Sequence, residues 1–326
     1  MTTAQITVLK PGLETTVQEL PGRIGYLGQG FPISGPFDAR SFRLANLLVG
    51  NRRDTAALEC QFLGPKLRFE SAGLIAITGA DMRPKLDDTP IPMWTTIAIA
   101  AGQTLELSAA LTGARSYIAV SGGIATPPVL GSRAVFHMAG VGGSALKRDD
   151  VLQLGESDAG GTILHVAQER RPMMAANGIW QIEALAGPND DWLDPASVDT
   201  FFAAEWKVQA KSNRTGIRLT GPEFAFSARA LDKDDAHGSH PSNIIDHGYP
   251  LGAVNLAGQT PIILVFDSPS TGGFINPFTV ASAALWKLGQ ARPGETLRFC
   301  RIDRDQAARL RAEFNAMSSP EVLDRV

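Results

Sequence analysis

The sequence predicts a mainly β protein made of two barrel-type β domains with few short helices. Three observations lead there. Glycine and proline, 33 and 21 of the 326 residues, interrupt the chain every few positions. Between these breaks lie short runs rich in Val, Ile, Leu and Thr, the pattern of many strands joined by tight turns. A turn-then-strand pattern also recurs. Ala101-Gly102-Gln103-Thr104-Leu105-Glu106-Leu107 resembles Pro293-Gly294-Glu295-Thr296-Leu297-Arg298-Phe299, and Arg148-Asp149-Asp150-Val151-Leu152-Gln153-Leu154 is a weaker relative. Recurrence of this kind points to repeated barrel geometry rather than a solenoid.

Taken in order, a strand is predicted at residues 6–9, then a helix opening at Asp38. Asp38 suits an N-cap, Phe42, Ala45, Leu48 and Val49 repeat at helical spacing, and Gly50 supplies the stop. Strands follow at residues 74–78, 96–99, 105–107, 117–120 and 163–166. Glu169-Arg170-Arg171-Pro172 and Asn177-Gly178 then break the pattern, which places a domain boundary there. The expected domains are 1–175, all β, and 176–326, a β-barrel with a helical tail. In the second, Asp194-Pro195 reads as an N-cap with proline at the first helical position, so 189–204 is expected to be helical. A buried strand at 262–266, a helix over 282–288 ended by Gly289, and a polar helix over 303–317 complete the prediction.

Composition excludes several classes of function. Hydrophobic residues make up 44% and charged residues 19%, a globular balance. The net charge of -3 leaves no basic surplus to neutralise phosphates, which argues against a nucleic-acid binder. No apolar run approaches the roughly 18 residues needed to span a bilayer, so no membrane association is expected. The N-terminus, Met1-Thr2-Thr3-Ala4-Gln5, has no basic segment leading into a long apolar one, so a cytoplasmic location is expected. Cys60 and Cys300 are the only cysteines, too few for a disulfide framework or a thiolate zinc site. Both lie in apolar strand contexts and read as packing residues.

Candidate chemistry concentrates in the second half. His237, His240 and His247 share one polar stretch with Asp234, Asp235 and Asp246. Their spacing matches no metal-site signature, so no metal is assigned. The stretch reads instead as a loop that orders over a small ligand. Ser270-Thr271-Gly272-Gly273 follows the apolar 262–266 run and places hydroxyls beside a glycine pair, where a ligand can approach the backbone closely. In Ser212-Asn213-Arg214-Thr215-Gly216-Ile217-Arg218, the arginines are four apart, which in a strand puts both on one face. They form either a carboxylate- or phosphate-reading pair or structural ion pairs; the residues alone leave both open. No GxSxG, no GKS/GKT phosphate loop and no strand-GxGxxG-helix unit is present.

Several longer stretches resemble one family over nearly the whole chain. Ile33-Ser34-Gly35-Pro36-Phe37-Asp38, with Ala45-Asn46-Leu47-Leu48-Val49-Gly50-Asn51 and Leu58-Glu59, resembles its N-terminal signature. Ser121-Gly122-Gly123-Ile124 and Leu130-Gly131-Ser132 fit its middle. Ser212-Asn213-Arg214-Thr215-Gly216, Trp286-Lys287-Leu288-Gly289-Gln290 and Arg292-Pro293-Gly294 fit its second half. This is the biotin-dependent carboxyltransferase family, which includes allophanate hydrolase subunit 2, the C component of 5-oxoprolinase and KipA. His240-Pro241-Ser242-Asn243-Ile244-Ile245-Asp246, Gly252-Ala253-Val254-Asn255 and Pro269-Ser270-Thr271-Gly272-Gly273-Phe274 are most similar to the first, KipA-like half of the urea carboxylase carboxyltransferase domain.

The resemblance implies a β-barrel fold with a cyclophilin-like element and a subunit of a carboxyltransferase or amidohydrolase-type enzyme acting on a small urea-like, amide or lactam substrate. It implies that Asn243 and Asp246 orient the acceptor, Asp246 also taking a proton. His240 and Tyr249 would lie beside them, Ser270, Thr271, Gly272 and Gly273 would cradle the carboxylate, and Arg214 or Arg218 would balance its charge. A carboxamide and a carboxylate suit a substrate offering N–H donors and one carbonyl. No covalent cofactor is expected. The chain lacks the Ala/Val-Met-Lys-Met biotinylation tetrapeptide and an ATP-grasp-sized segment. Carboxybiotin would therefore come from a partner's biotin carboxyl carrier, loaded by a biotin carboxylase, or ATP would act through a partner subunit. A KipI-like chain is the expected partner. Two alternatives stand beside this reading: the C component of an ATP-dependent 5-oxoprolinase, and a KipA-like regulatory module without catalysis.

Overall fold

A computed structural model describes residues 4–157 and 161–326. These divide into two units. The first comprises the chain up to Gly25, Ile33–Met174 and Phe314–Val326, and the second Tyr26–Pro32 and Ala175–Glu313.

The first unit faces two antiparallel sheets across one core. One orders Val151–Gln153, Gln5–Lys10, Lys66–Phe69, Thr104–Glu106, Lys85–Leu86 and Thr89–Pro90. The other orders Glu14–Gln18, Ala57–Gln61, Thr112–Val120, Gly73–Asp81 and Ile97–Ile99. Alternation along each strand decides what lies between them. Ile6, Val8, Leu67 and Phe69 from the first sheet meet Leu58, Ile75, Ile77, Ile118 and Val120 from the second. Full burial of each such side chain is worth about 1.5–3 kcal/mol. The intervening residues Ala76, Tyr117 and Ala119 face the other way and pack under helix α1, Ala39–Leu48, through Phe42, Ala45 and Leu48. The α1 start is as predicted: the Asp38 carboxylate accepts the N–H groups of Arg40 (3.1 Å) and Ser41 (2.9 Å).

The second unit is a closed seven-stranded barrel. Its order is Ile179–Ala186, Phe278–Val280, Ala253–Ala257, Thr260–Leu264, Gly216–Thr220, Glu205–Val208 and Thr296–Arg301, which pairs in parallel with the first. Helix α2, Pro195–Ala203, is capped by Asp194, whose carboxylate accepts the Ser197 N–H at 2.6 Å. From α2, Phe201 stacks on Phe278 and Phe299, with ring centres 3.8 and 4.2 Å away. This aromatic cluster fills the barrel interior. Three further helices are α3, Ala228–Leu231, α4, Leu285–Gln290, and α5, Arg304–Ala316. Among the described residues no helix is long and apolar enough to cross a membrane.

The recurring turn pattern has a single local basis. In each copy the N–H of Gln103, Glu295 or Asp150 closes a turn onto the carbonyl three residues earlier, Ala100, Arg292 or Lys147. The residue before each of those donors has positive φ: Gly102 at +88°, Gly294 at +87° and Asp149 at +69°. Three boundaries differ from expectation. The strand expected at 262–266 ends at Leu264, because the Val265 carbonyl turns to accept the Ser268 N–H. α4 runs through Gly289, expected as its stop, to Gln290. The tail expected with the second domain contributes Leu323–Arg325, which pairs with Leu164–Val166 of the first unit.

Candidate functional site

The polar stretch that sequence singled out is a short ribbon with the loop leading into it. Strand Asn243–Gly248 pairs antiparallel with strand Thr271–Phe274, apart from the barrel sheet. The segment expected as a glycine-rich loop is therefore itself a strand. Asn243 pairs with Phe274, His247 with Gly272 and Gly248 with Thr271. Three residues, Ile244, Ile245 and Asp246, thus stand opposite the single Gly273, and the surplus forms a bulge. Asp246 is the last residue of this bulge, next to the regularly paired His247.

The glycine pair makes room for the ribbon's own side chains. A Cβ on Gly272 would lie 2.6 Å from the Tyr249 ring and hydroxyl, and one on Gly273 would lie 3.0 Å from the Asp246 carboxylate. Tyr249 is tied down further: its hydroxyl accepts the Phe274 N–H at 2.7 Å, and its ring meets His247 edge-on at 5.2 Å. Burial pushes the Tyr249 hydroxyl pKa above its usual value. Residues paired across a ribbon share a face, and neighbours along a strand do not. Asn243, His247, Gly272 with its covering Tyr249, and Phe274 therefore occupy one face. Asp246 lies over Gly273 on the other. Asn243 and Asp246 come from one strand but are not brought to one face. Among the described residues neither the half-buried Asn243 carboxamide nor the exposed Asp246 carboxylate makes a hydrogen bond. Both are chemically available.

The three histidines each engage a separate backbone group. His237 Nδ1 accepts the Ile245 N–H at 3.2 Å, His240 Nδ1 accepts the Ser242 N–H at 3.1 Å, and His247 Nε2 is 3.0 Å from the Phe274 carbonyl oxygen. Ser242, fully buried, adds its hydroxyl to His240 at 2.8 Å and fixes the turn before Asn243. Exposed His240 shapes the turn that presents Asn243. Ser270 donates its hydroxyl to the Leu27 carbonyl at 2.9 Å, and its own carbonyl accepts the Tyr249 N–H, so it ties the ribbon down, while Thr271 is exposed.

The arginines part company. The strand begins at Gly216, so Arg214 precedes it and does not share a strand face with Arg218. Arg214 is buried and engages Asp267 through two bonds, 2.8 and 3.2 Å. Arg218 is half-buried and donates to the Lys211 carbonyl at 3.3 Å. Of the two readings left open, the ion pair describes Arg214.

Two residues escaped the sequence reading. Lys233 donates to the carbonyl oxygen of Asn243 at 2.7 Å and to that of His240. Its ammonium stands 5.8 Å from the ring centre of Trp192, a buried indole on the wall of a groove of about 470 Å³. The available signal was slight: Lys233 is the one cation in Asp232-Lys233-Asp234-Asp235.

In the first unit, the Gly35-Pro36-Phe37-Asp38 signature leads into a buried polar lock. Glu59 accepts the Phe37 N–H (2.7 Å) and the Tyr117 hydroxyl (2.8 Å), and Tyr117 in turn accepts the Asp38 N–H (2.7 Å). Arg115 lies 3.4 Å from Glu59, with its guanidinium over the Phe37 ring. Burial and the neighbouring Glu59 hold the Tyr117 pKa well above its usual value, so it stays a neutral donor. This lock orients the helix start.

Comparison with known proteins agrees with this architecture. Residues 29–301 match the carboxyltransferase domain family, subdomains A and B. Urea amidolyase of Lachancea kluyveri is 40% identical over 323 residues, 95% of this chain and 17% of that protein. The C component of Escherichia coli 5-oxoprolinase is 33% identical over 319 residues, 94% of each chain. The crystal structure of Kluyveromyces lactis urea carboxylase superimposes with a TM-score of 0.90 at 37% identity, over 97% of this chain and 29% of that one. The chain thus spans 17% of the length of the urea amidolyase it matches. On its sequence and its fold together, it belongs to the carboxyltransferase domain family, subdomains A and B.

Proposed function

We propose that this chain is the KipA-like half of a carboxyltransferase acting on a small urea-like, amide or lactam acceptor, completed by a KipI-like partner chain. The single observation that carries the reading is the 40% identity to a urea amidolyase across 95% of the chain. A second reading, as the C component of a 5-oxoprolinase, has support of its own in the 33% identity running over 94% of both chains.

On the first reading the Asn243 carboxamide orients the acceptor. Among the described residues it has no hydrogen-bond partner, and it offers an acceptor for N–H and a donor for C=O in one planar group. Asp246 lies on the other ribbon face and does not reach an acceptor held by Asn243; were the acceptor to meet that face instead, the Asp246 carboxylate would be the proton acceptor for its attacking nitrogen. Carboxybiotin on a partner's biotin carboxyl carrier, loaded by a biotin carboxylase, supplies an activated carboxyl group. Of the ribbon residues, Thr271 with its exposed hydroxyl would fit such a group; Gly272 and Gly273 do not, because Tyr249 and the Asp246 carboxylate already fill the space beside them. Arg214 does not fit, because Asp267 already holds its guanidinium.

The test uses the enzyme assembled with its partner. Asn243→Ala and Asp246→Asn are measured for turnover and for melting on the same preparations. A hydrogen bond to a charged group is worth about 1.5–3 kcal/mol, so a roughly ten- to hundredfold loss in Asp246→Asn with melting unchanged would mark the Asp246 face as the one that meets the acceptor. Asn243→Ala is expected to lose about tenfold, mainly through KM. Because the two residues lie on opposite faces, loss in one variant alone identifies the face that meets the acceptor. Normal turnover in both removes the ribbon from the reaction.

A further inference from the structure

We infer that Lys233 is a positioning residue that aims Asn243, a role that rests on the reading of Asn243 as the acceptor-orienting group. The turn before the ribbon is closed by the Asn243 N–H on the His240 carbonyl at 2.9 Å. The carbonyls of its first and last residues, His240 and Asn243, each also accept a hydrogen bond from the one Lys233 ammonium. Two carbonyls of a tight turn that converge on one cation fix the turn's direction, and with it the direction in which the Asn243 side chain leaves the backbone. The ammonium is itself held. It lies over the Trp192 indole, which is 3% exposed, and an ammonium on an indole face is attracted by the ring quadrupole.

Other charges facing Lys233 are already committed or lie in water. Arg229 is paired with Asp191 and stands over the same indole. Asp234 accepts the Ala236 N–H, His237 accepts the Ile245 N–H, and Asp232 is exposed. None of them reaches the two carbonyls, so no neighbour substitutes for Lys233. Burial lowers the Lys233 pKa from its ordinary value. The sign follows: as pH rises through that lowered value the ammonium becomes a neutral amine, and its hold on the two carbonyls weakens at a pH where an ordinary lysine is still charged.

The experiment compares wild type, Lys233→Met and Lys233→Arg. Amide exchange is read on the purified chain over residues 240–248, and turnover on the assembled enzyme. In Lys233→Met, exchange over 240–248 is expected to accelerate about tenfold, with the barrel strands and the melting temperature unchanged. KM for the acceptor is expected to rise about tenfold or more, because a displaced orienting group loses its alignment. Lys233→Arg is expected to recover most of both and to shift the alkaline limb of the rate profile to higher pH. Unchanged exchange in Lys233→Met overturns the inference, as does an arginine variant that behaves like the methionine one. Normal turnover in Lys233→Met alongside a crippled Asn243→Ala overturns it as well, while normal turnover in Asn243→Ala brings down the acceptor reading instead.

Discussion

Arg214 shows how one side chain's chemistry depends on its partner. Its guanidinium and the Asp267 carboxylate are 6% and 2% exposed, and they meet in the paired geometry that suits both. A pair so buried gains little net stability over an apolar replacement, but losing one member strands a charge. Arg214→Ala is therefore expected to lower the unfolding free energy by about 3–5 kcal/mol in urea titrations. Arg214→Met with Asp267→Leu should recover most of that loss. A residue that met substrate would behave differently, with turnover falling while stability held. Cys60 illustrates the same dependence on surroundings: full burial pushes its thiol pKa up and leaves it a packing group.

At the scale of elements, helix α1 and the ribbon follow different logics. The α1 start is over-determined, since the Asp38 carboxylate takes two backbone N–H groups and the Ser41 hydroxyl at 2.6 Å, while its own N–H is held by Tyr117. Asp38→Ala is expected to destabilise the first unit by about 2 kcal/mol, the upper end for a lost cap, as read by thermal or chemical denaturation. The ribbon, by contrast, is a two-stranded element of the kind that is marginal alone. Its geometry comes from outside its own sheet: Lys233 on the turn carbonyls, Ser242 on His240, Ser270 on Leu27. The bulge that holds Asp246 is tolerated because Gly273 leaves space beside its carboxylate.

For the whole molecule, the proposal of a KipI-like partner leads to a direct expectation. Co-expressed with such a chain, the protein should elute from size-exclusion chromatography as one complex at micromolar concentration; separate elution would remove the bipartite reading. The urea amidolyase relative is far longer than this chain, and the 5-oxoprolinase relative is a C component.

The features the sequence determined by itself were the local ones. Strand runs, the Asp38 and Asp194 caps and the turns at Gly102, Gly294 and Asp149 were legible because each depends on a φ angle or on a hydrogen bond within a few residues. The family was legible too, because its motifs are contiguous stretches. Tertiary structure decided which polar groups meet. Asp267 claims Arg214 from 53 residues away, and that pairing has no trace in spacing. Asn243 and Asp246 lie three apart, so strand alternation sets them on opposite faces, but only the irregular pairing with the second strand puts Gly273 beside the Asp246 carboxylate. Lys233 gained its place because a turn's carbonyls and a buried indole converge on it. Those decisions rest on register and long-range packing, where a shift of one residue reverses every face, so they became fixed only in the folded chain.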